Sequence, residues 1–216
     1  MFVTGLVLGA DSSPHLGAAW QLQDHGGVPL LGAAVDSARA CGFDQLVVTL
    51  GSAAAQIREC VDFSRVRVVE SPHADTGSAS IVPALDAVDR RADGLVVLAG
   101  DQPGVTSATV WSLVAESATL IGVCRYEDGE SYPCWFSREL FGELRRLRTD
   151  ADLWDLIRSG THRVTKVDAI GNIPARAATW STYHQPLGTS AVPQELPPDH
   201  PLPLPNHPRP RRRTPN

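Results

Sequence analysis

Asp101 is a carboxylate placed where it could hold a metal ion. It lies in the segment AGDQP, residues 99–103, directly after an apolar run that predicts a buried strand. A carboxylate at this point could hold Mg²⁺ over a nucleoside triphosphate, since Mg²⁺ prefers oxygen ligands and substrate phosphates. An aspartate before a proline is also common in turns that have no catalytic role. The residue by itself leaves both interpretations open.

Two loops rich in small and polar residues could meet a nucleotide. Residues 9–22, GADSSPHLGAAWQL, follow the first predicted strand, and small residues there let backbone N–H groups approach a phosphate. Residues 71–80, SPHADTGSAS, lead into a predicted helix, where the serines could contact a base or cap the helix. Each loop alone is weak evidence for a site.

The basic residues are almost all arginine. Among 216 residues there are 18 Arg and one Lys, Lys166, against 24 acidic residues, for a net charge of −5. Nucleic-acid binding normally needs a positive excess, so this balance disfavours nucleic acid as a partner. The scarcity of lysine also fits the composition of a GC-rich genome. A mechanism that needs a lysine on a phosphate has one candidate in the whole chain.

The four cysteines, Cys41, Cys60, Cys124 and Cys134, form no CxxC pair and have no histidine at ligand spacing. Neither a zinc site nor a disulfide framework is indicated, which favours a reducing cytoplasm. No stretch approaches 18 apolar residues, and the N-terminus predicts a strand rather than a signal peptide. We therefore expect a cytoplasmic protein without a membrane partner.

The composition changes at Gly188. Nine of the 29 residues from there onward are proline, and the segment carries a net charge of +2, which leaves −7 for residues 1–187. Proline removes hydrogen-bond donors and favours polyproline II, so residues 188–216 are predicted to be a disordered tail rich in proline and arginine. Residues 1–187 are predicted to form one domain.

The candidate site residues must be positioned by the secondary structure of residues 1–187. In this part of the chain, short apolar runs alternate with amphipathic helical patterns. Such alternation is typical of parallel strands joined by helical crossovers, which predicts a single-domain α/β fold with a Rossmann-like, mostly parallel sheet and helices on both faces. The predicted strands are Val3–Leu8, Gln45–Leu50, Val66–Val69, Leu95–Ala99, Leu120–Cys124 and His162–Val167. The predicted helices are Leu30–Ala40, Ala53–Val61, Ala79–Val88, Ala108–Glu116, Arg138–Arg148 and Leu153–Ser159, and residues 127–129 predict a hairpin turn. In such a sheet ligands bind at the carboxyl ends of the strands, where all three segments lie.

Five segments in this order resemble a known family: GLVLGADSSPHLGAAWQL, GGVPLL, SPHADTGSASI, VVLAGDQPGVT and GESYPCWFSRELFGEL. They are similar to the MobA-like NTP transferases, the molybdenum-cofactor cytidylyl- and guanylyltransferases, over about residues 3–183. The resemblance implies a nucleotide-diphospho-sugar transferase-like fold. It also implies transfer of a nucleoside monophosphate from CTP or GTP, with Mg²⁺, to the phosphate of a molybdopterin, with release of pyrophosphate.

The resemblance assigns roles to residues that match the family pattern. His15 stands where the family has a phosphate-binding arginine, and Asp101 matches its metal-binding aspartate, so both are predicted to be catalytic. The predicted nucleotide-binding residues are Leu8, Gly9, Ala10, Ser13, Gly17, Gln21, Gly77, Ser78 and Ser80.

Several positions depart from the family pattern. In the first loop Asp11 replaces a glycine, His15 an arginine and Trp20 a lysine, so the loop changes from +2 to −1 when His is neutral. Ala178 stands where the family has a second acidic metal ligand, and residues 131–133, SYP, stand where it has Gly-His-Pro on the acceptor side. These changes predict that transfer activity is weakened or lost.

Three hypotheses follow. The chain is an active nucleotidyltransferase in which protonated His15 partly replaces the arginine, or it is an inactive homologue that acts as a nucleotide- or protein-binding module. The loss of charge favours weak or absent activity, although Trp20 could stack on a base. A nucleotide-sugar glycosyltransferase is disfavoured, because DQP at residues 101–103 lacks the second aspartate of a DxD motif.

Overall fold

A computed structural model of the chain describes residues 1–10, 19–71, 78–117 and 119–174. Its main sheet has seven strands in the order β5-β4-β1-β6-β8-β7-β9, and β2 and β3 form a separate hairpin. The strands are β1 Val3–Gly9, β2 Asp24–His25, β3 Val28–Pro29, β4 Gln45–Leu50, β5 Arg67–Glu70, β6 Gly94–Ala99, β7 Ile121–Tyr126, β8 Gly129–Ser137 and β9 Val164–Asp168. All neighbours in the main sheet are parallel except β8, which is antiparallel to β6 and β7. The predicted mostly parallel sheet is confirmed.

Six α-helices lie in the described part of the chain. They are α1 Leu30–Ala40, α2 Ala54–Cys60, α3 Ile81–Leu85, α4 Ser107–Glu116, α5 Phe141–Leu144 and α6 Asp150–Arg158. Local sequence explains where α4 and α6 begin: Thr106 accepts the Thr109 N–H, and Thr149 and Asp152 form a capping box. No helix in these described ranges is both long and apolar enough to cross a membrane.

The helices cover both faces of the sheet. Side chains of α1, α2 and α4 pack with Val3 and Val7 of β1, while α3, α5 and α6 pack with Leu6 and Leu8 of the same strand. Successive residues of a strand point to opposite faces, so a strand covered on both sides must be apolar throughout. This explains why the central strands are uninterrupted apolar runs in the sequence.

The sequence reading missed β8, which inserts between β6 and β7. Its pairing with β7 shifts register between Val123↔Cys134 and Cys124↔Ser131, which leaves Tyr132 and Pro133 as extra residues in β8. This irregularity and the proline hide the strand pattern, because proline cannot donate to a sheet ladder. The pairing of β8 with β6 begins at Val97↔Cys134, so β8 does not pair with the last two residues of β6.

Two predicted helices are shorter in the structure. Where a helix over residues 79–88 is predicted, the structure has a 3-10 turn, Ser78–Ser80, followed by the five-residue α3. Where a helix over residues 138–148 is predicted, it has a 3-10 turn, Arg138–Leu140, followed by the four-residue α5. Gly142 lies within the second segment and weakens a helix there. The predicted boundary at residue 187 and the tail 188–216 lie outside the described residues.

Candidate functional site

The order of the strands creates a switch point at the carboxyl ends of β1 and β6. From β1 the chain adds β4 and then β5 on one side, and then crosses to place β6 on the other side of β1. Ligands of open α/β sheets bind outside the strand ends at such a point. The Gly100 N–H donates to the carbonyl oxygen of Leu8 at 3.0 Å, so the chain before Asp101 lies against the end of β1. Of the predicted residues, the structure thus brings together Leu8, Gly9, Ala10 and Asp101.

Glycines directly after β4 and β6 let these strands end close against β1. A Cβ atom at Gly51 would lie 2.4 Å from the carbonyl oxygen of Ala10, and one at Gly100 would lie 2.5 Å from that of Leu8. A backbone oxygen cannot move aside as a flexible side chain can. In the sequence, a glycine directly follows the apolar runs of both β4 and β6. This pattern could have predicted the close approach at Gly51, which the sequence analysis missed.

Asp101 lies in a turn whose next two residues are held by hydrogen bonds to other parts of the chain. The neighbouring Gln102 is buried, and its Nε2 donates to the carbonyl oxygen of Pro174 at 3.0 Å. Farther along, the Ser37 hydroxyl of α1 donates to the carbonyl oxygen of Pro103 at 2.5 Å. Asp101 itself is partly exposed. These contacts fix the backbone that carries the carboxylate.

The contact with Pro174 also brings the end of the described chain to this turn. After β9, residues 169–174 run along the β7–β8 hairpin, where the Ile173 N–H donates to Asp128 at 2.7 Å. Ala178, the position of the family's second acidic ligand, follows four residues after Pro174 and lies outside the described residues. No local pattern predicts the hydrogen bond of Gln102 to a residue 72 positions away.

A buried chain of hydroxyl contacts joins the end of β1 to the turn before α3. The Gly9 N–H donates to the Thr49 hydroxyl at 3.3 Å, and the hydroxyls of Thr49 and Ser80 lie 2.8 Å apart. Thr49 and Ser80 are both fully buried. Thr49 was missed by the sequence analysis, although a lone threonine in the apolar run QLVVTL was a usable signal. This geometry suits Ser80 to positioning the site.

Trp20 and Gln21 are both buried in the 3-10 turn Trp20–Leu22. The Gln21 Nε2 donates to the carbonyl oxygen of Gly9 at 2.9 Å, which ties this turn to the end of β1. The indole of Trp20 is only 4% exposed. An indole needs an open face to stack on a base, so this burial does not favour the stacking hypothesis.

Lys166 does not take the place of the lysine that Trp20 replaces. It lies on β9, the far edge strand of the sheet, and its Nζ is 2.5 Å from a carboxylate oxygen of Glu130 on β8. Three strand positions separate β9 from β6. The single lysine is therefore paired away from the switch point.

Several predicted residues lie outside the described residues. They are His15, Ser13, Gly17 and Gly77, together with the replaced position Asp11. Ser78 begins the 3-10 turn before α3, two residues before the buried Ser80.

Among the residues whose placement is described, no group of three or more His, Cys, Asp or Glu could hold a metal ion. Asp101 is the carboxylate at the switch point, and Mg²⁺ is commonly held by one or two carboxylates together with substrate phosphates and water. The donor set therefore fits a metal ion that arrives with a phosphorylated ligand better than a resident metal centre.

On the other side of β6, the register shift in β8 leaves the last two residues of β6 without pairing to β8. Ser131 and Tyr132 precede the pairing with β6 and are both buried. The Tyr126 hydroxyl donates to the carbonyl oxygen of Tyr132 at 3.0 Å, and the Tyr132 ring meets Trp154 of α6 edge-on at 5.5 Å. The segment that replaces the family's Gly-His-Pro is thus held firmly by its own neighbours.

Comparison with known proteins gives consistent results. The family model for the MobA-like NTP transferase domain matches residues 5–165. A solved structure from Mycobacterium sp. strain JC1, described as a homologue of Mycobacterium tuberculosis Rv0371c, is 41% identical with a TM-score of 0.79, over 84% of this chain and 92% of that chain. Rv0371c from M. tuberculosis H37Rv, solved in complex with manganese, is 40% identical with a TM-score of 0.77, over 85% of this chain and 96% of that one.

Among curated proteins, bifunctional protein GlmU from Cupriavidus necator is 38% identical over 93 residues, which are 43% of this chain and 20% of that protein. The chain thus spans about a fifth of the length of this curated relative. The match of the family model covers most of the described domain and confirms the resemblance drawn from the five motifs. Sequence motifs, strand order and family match agree that the chain belongs to the MobA-like NTP transferase domain family.

Proposed function

We propose that this chain binds CTP or GTP with Mg²⁺ at the carboxyl ends of β1 and β6, and slowly transfers the nucleoside monophosphate to a phosphorylated, pterin-like acceptor. The observation that supports this most is the position of Asp101 at the switch point, directly after Gly100, whose N–H donates to the carbonyl oxygen of Leu8 in β1. The family membership supports the reaction class.

In this proposal each part of the site has a separate role. Asp101 holds the metal ion, which when bound neutralises charge on the phosphates. In the first loop, residues 9–22, the backbone N–H groups from Gly9 to Gly17 hold the phosphates, and His15 adds positive charge when protonated. Ser13 and Gln21 belong to the same loop, where Gln21 fixes the Gly9 carbonyl. Gly77, Ser78 and Ser80 lie on the base side.

Transfer is slow because the first loop has lost positive charge. Asp11 at about 4 Å from a phosphate charge would cost on the order of 4 kcal/mol at an effective dielectric constant near 20. The missing lysine removes a group that stabilises developing charge, and loss of one such donor lowers a rate by about 100- to 1000-fold. Since Trp20 is buried and Lys166 pairs with Glu130, no described lysine compensates.

A second candidate function is a nucleotide- or protein-binding module without turnover. The burial of Trp20 favours it, because the position that would carry the lysine is used for packing instead. This candidate keeps the binding site and differs only in the chemical step.

The two functions are separated by measuring binding and turnover on the same protein. Calorimetric titration with each of the four MgNTPs measures binding, and pyrophosphate release with a phosphorylated pterin measures transfer. Asp101→Asn is expected to weaken MgNTP binding at least tenfold. The control Asp155→Asn changes an exposed aspartate on α6 and should leave MgNTP binding unchanged. Binding without pyrophosphate release supports the module.

The effect of the replaced loop residues on binding and turnover can be tested separately. If the wild-type chain binds MgCTP or MgGTP with low micromolar affinity and turns it over at an ordinary enzyme rate of about 1 s⁻¹ or more, the replaced loop residues do not weaken the site. If none of the four MgNTPs binds, both the transfer function and a nucleotide-binding module are wrong.

A further inference from the structure

A cavity of about 390 Å³ lies at the edge of the sheet opposite the nucleotide site. It is lined by residues from the end of α1, the start of β4 and the turn before β5, including Gln45 and Arg67, the first residues of β4 and β5. The nucleotide site lies at the other ends of these strands. The volume is in the range that small-molecule ligands occupy.

The cavity is positive on an acidic domain. Its lining contains three arginines, Arg39, Arg65 and Arg67, and one carboxylate, Asp44, for a net of +2, whereas residues 1–187 carry −7. The Asp44 carboxylate accepts the backbone N–H of Val3 at 2.8 Å. Such a local reversal of charge favours an anionic ligand.

Two of these arginines have no hydrogen-bond or ion-pair partner among the described residues. Within the described ranges, no hydrogen bond or ion pair involves the guanidinium of Arg65 or Arg67. Arg39, by contrast, pairs with Asp36 and donates to the carbonyl oxygen of Asp62 at 3.0 Å. A guanidinium is a planar fork of donors that matches the oxygens of a phosphate or carboxylate.

The turn that carries Arg65 is built to hold an unusual conformation. Arg65 has φ of 61°, where glycine is the ordinary residue, and the Val66 N–H donates to the Phe63 carbonyl at 3.0 Å. The Asp62 carboxylate accepts the Ser64 N–H and hydroxyl at 2.8 and 2.6 Å and so braces the turn. The turn thus holds the backbone of Arg65 in place, and the residue lines the cavity.

Phe43 gives the cavity an aromatic wall. Its ring lies against Gly5 of β1, where an added Cβ would be 2.5 Å from the ring, and it contacts Trp111 at 6.0 Å between ring centres. Phe43 is partly exposed, and it is one of the residues that line the cavity. A flat apolar group can pack against such a ring.

We propose that this cavity binds a small organic phosphate with an aromatic ring, whose phosphate is held by Arg65 and Arg67 and whose ring lies against Phe43. The site is separate from the nucleotide cleft and does not depend on the proposed transfer activity. A phosphate monoester fits two arginines better than a carboxylate does, because it has three terminal oxygens and up to two negative charges, against two oxygens and one charge.

The probe is phenyl phosphate, titrated into ¹⁵N-labelled full-length protein and followed by amide NMR signals and calorimetry. We expect saturable binding with Kd of about 0.1–1 mM and shifts at residues 43–46 and 65–67. Arg65→Gln and Arg67→Gln should each weaken it at least about tenfold, since each removes a charge-assisted hydrogen-bonding group. Phe43→Leu should weaken phenyl phosphate but leave the affinity for inorganic phosphate unchanged.

Three controls make the result decisive. Arg163→Gln, an exposed arginine outside the cavity, should leave binding unchanged. Arg65→Gly removes the guanidinium and also the unfavourable φ, so it should abolish binding while the Tm stays equal or rises. Benzoate should bind at least fivefold more weakly than phenyl phosphate.

The proposal is overturned if phenyl phosphate does not saturate, if Arg65→Gln and Arg67→Gln leave its affinity unchanged, or if Arg163→Gln weakens it equally. Binding of benzoate as tight as that of phenyl phosphate would overturn the assignment to a phosphate. Because every variant is tested on this cavity, failure here leaves the Asp101 test of the nucleotide site unaffected.

Discussion

Replacing Thr49 by valine tests whether the buried hydroxyl chain positions the nucleotide site. Valine keeps the shape of the side chain but removes the oxygen that accepts the Gly9 N–H at 3.3 Å and contacts the Ser80 hydroxyl at 2.8 Å. All of these groups are buried, so water cannot replace the lost partner. We therefore expect both lower stability and weaker nucleotide binding.

The size of the effect follows from the two contacts. A buried donor left without a partner costs about 1–3 kcal/mol, and the contact from Gly9 is long enough to lie at the lower end of that range. With the loss at Ser80, we expect the free energy of unfolding to fall by about 2 kcal/mol. For a domain of this size that lowers the Tm by about 4–8 °C. Displacement of Gly9 and Ser80 should weaken MgNTP binding about fivefold, or about 1 kcal/mol.

The assay pairs urea unfolding with calorimetric MgNTP titration. Thr165→Val is the matched control, because the hydroxyls of Thr165 and Thr119 lie 2.8 Å apart on the far side of the sheet, at edge strand β9. It should lower stability by about 1 kcal/mol and leave nucleotide binding unchanged. A free energy of unfolding of Thr49→Val within about 0.5 kcal/mol of the wild-type value would show that the hydroxyl contacts do not stabilise the site. Equal weakening of MgNTP binding by both variants would refute a positioning role of the hydroxyl chain.

Three further predictions concern backbone packing, pH and thiol reactivity. Gly100→Ala would place a Cβ 2.5 Å from a carbonyl oxygen of β1, so it should cost about 1–3 kcal/mol in urea unfolding and also weaken MgNTP binding; an unchanged midpoint would contradict this. Hydrogen bonds from Arg91 lower the pKa of Asp89 to about 2, so its stabilising effect is complete above about pH 4 and is lost as the pH falls through 2. The Tm difference between Asp89→Asn and wild type should therefore shrink from pH 7 to pH 2, and a constant difference would count against it. Burial raises the pKa of the Cys41 thiol to about 11, so iodoacetamide at pH 8 should alkylate exposed Cys60 first, which peptide mass spectrometry can check; equal rates would disprove the assignment.

Local patterns predicted most of the sheet and its first helix. Helix α1 begins and ends at the predicted residues, and so does β4, while β1 and β6 differ from prediction by one residue at one end. These elements are predictable because burial on both faces demands an apolar run, which is visible in the sequence. Strand β8 was not predictable in this way, since its pairing depends on a two-residue irregularity and on neighbours from distant parts of the chain.

The candidate site also contains some residues that the sequence predicted and others that it did not. Asp101, Gly9 and Ala10 were predicted because they directly follow buried strands, and their meeting at one edge follows from parallel topology. Thr49 and Gln102 were not predicted. The lone threonine in an apolar run marks Thr49 as unusual, but no local pattern predicts the partners of these two residues, which are 31 and 72 positions away. Their contribution depends on distances that exist only after the sheet has assembled.

The sequence by itself determined the α/β class, the family resemblance, the position of Asp101 and the loss of positive charge from the first loop, because each depends on residue type and order. Only the tertiary structure decided that Trp20 is buried, that Lys166 pairs with Glu130, and that Arg65, Arg67 and Phe43 line one cavity. Burial and pairing depend on contacts between segments that are distant in the chain, and a one-dimensional pattern does not record them.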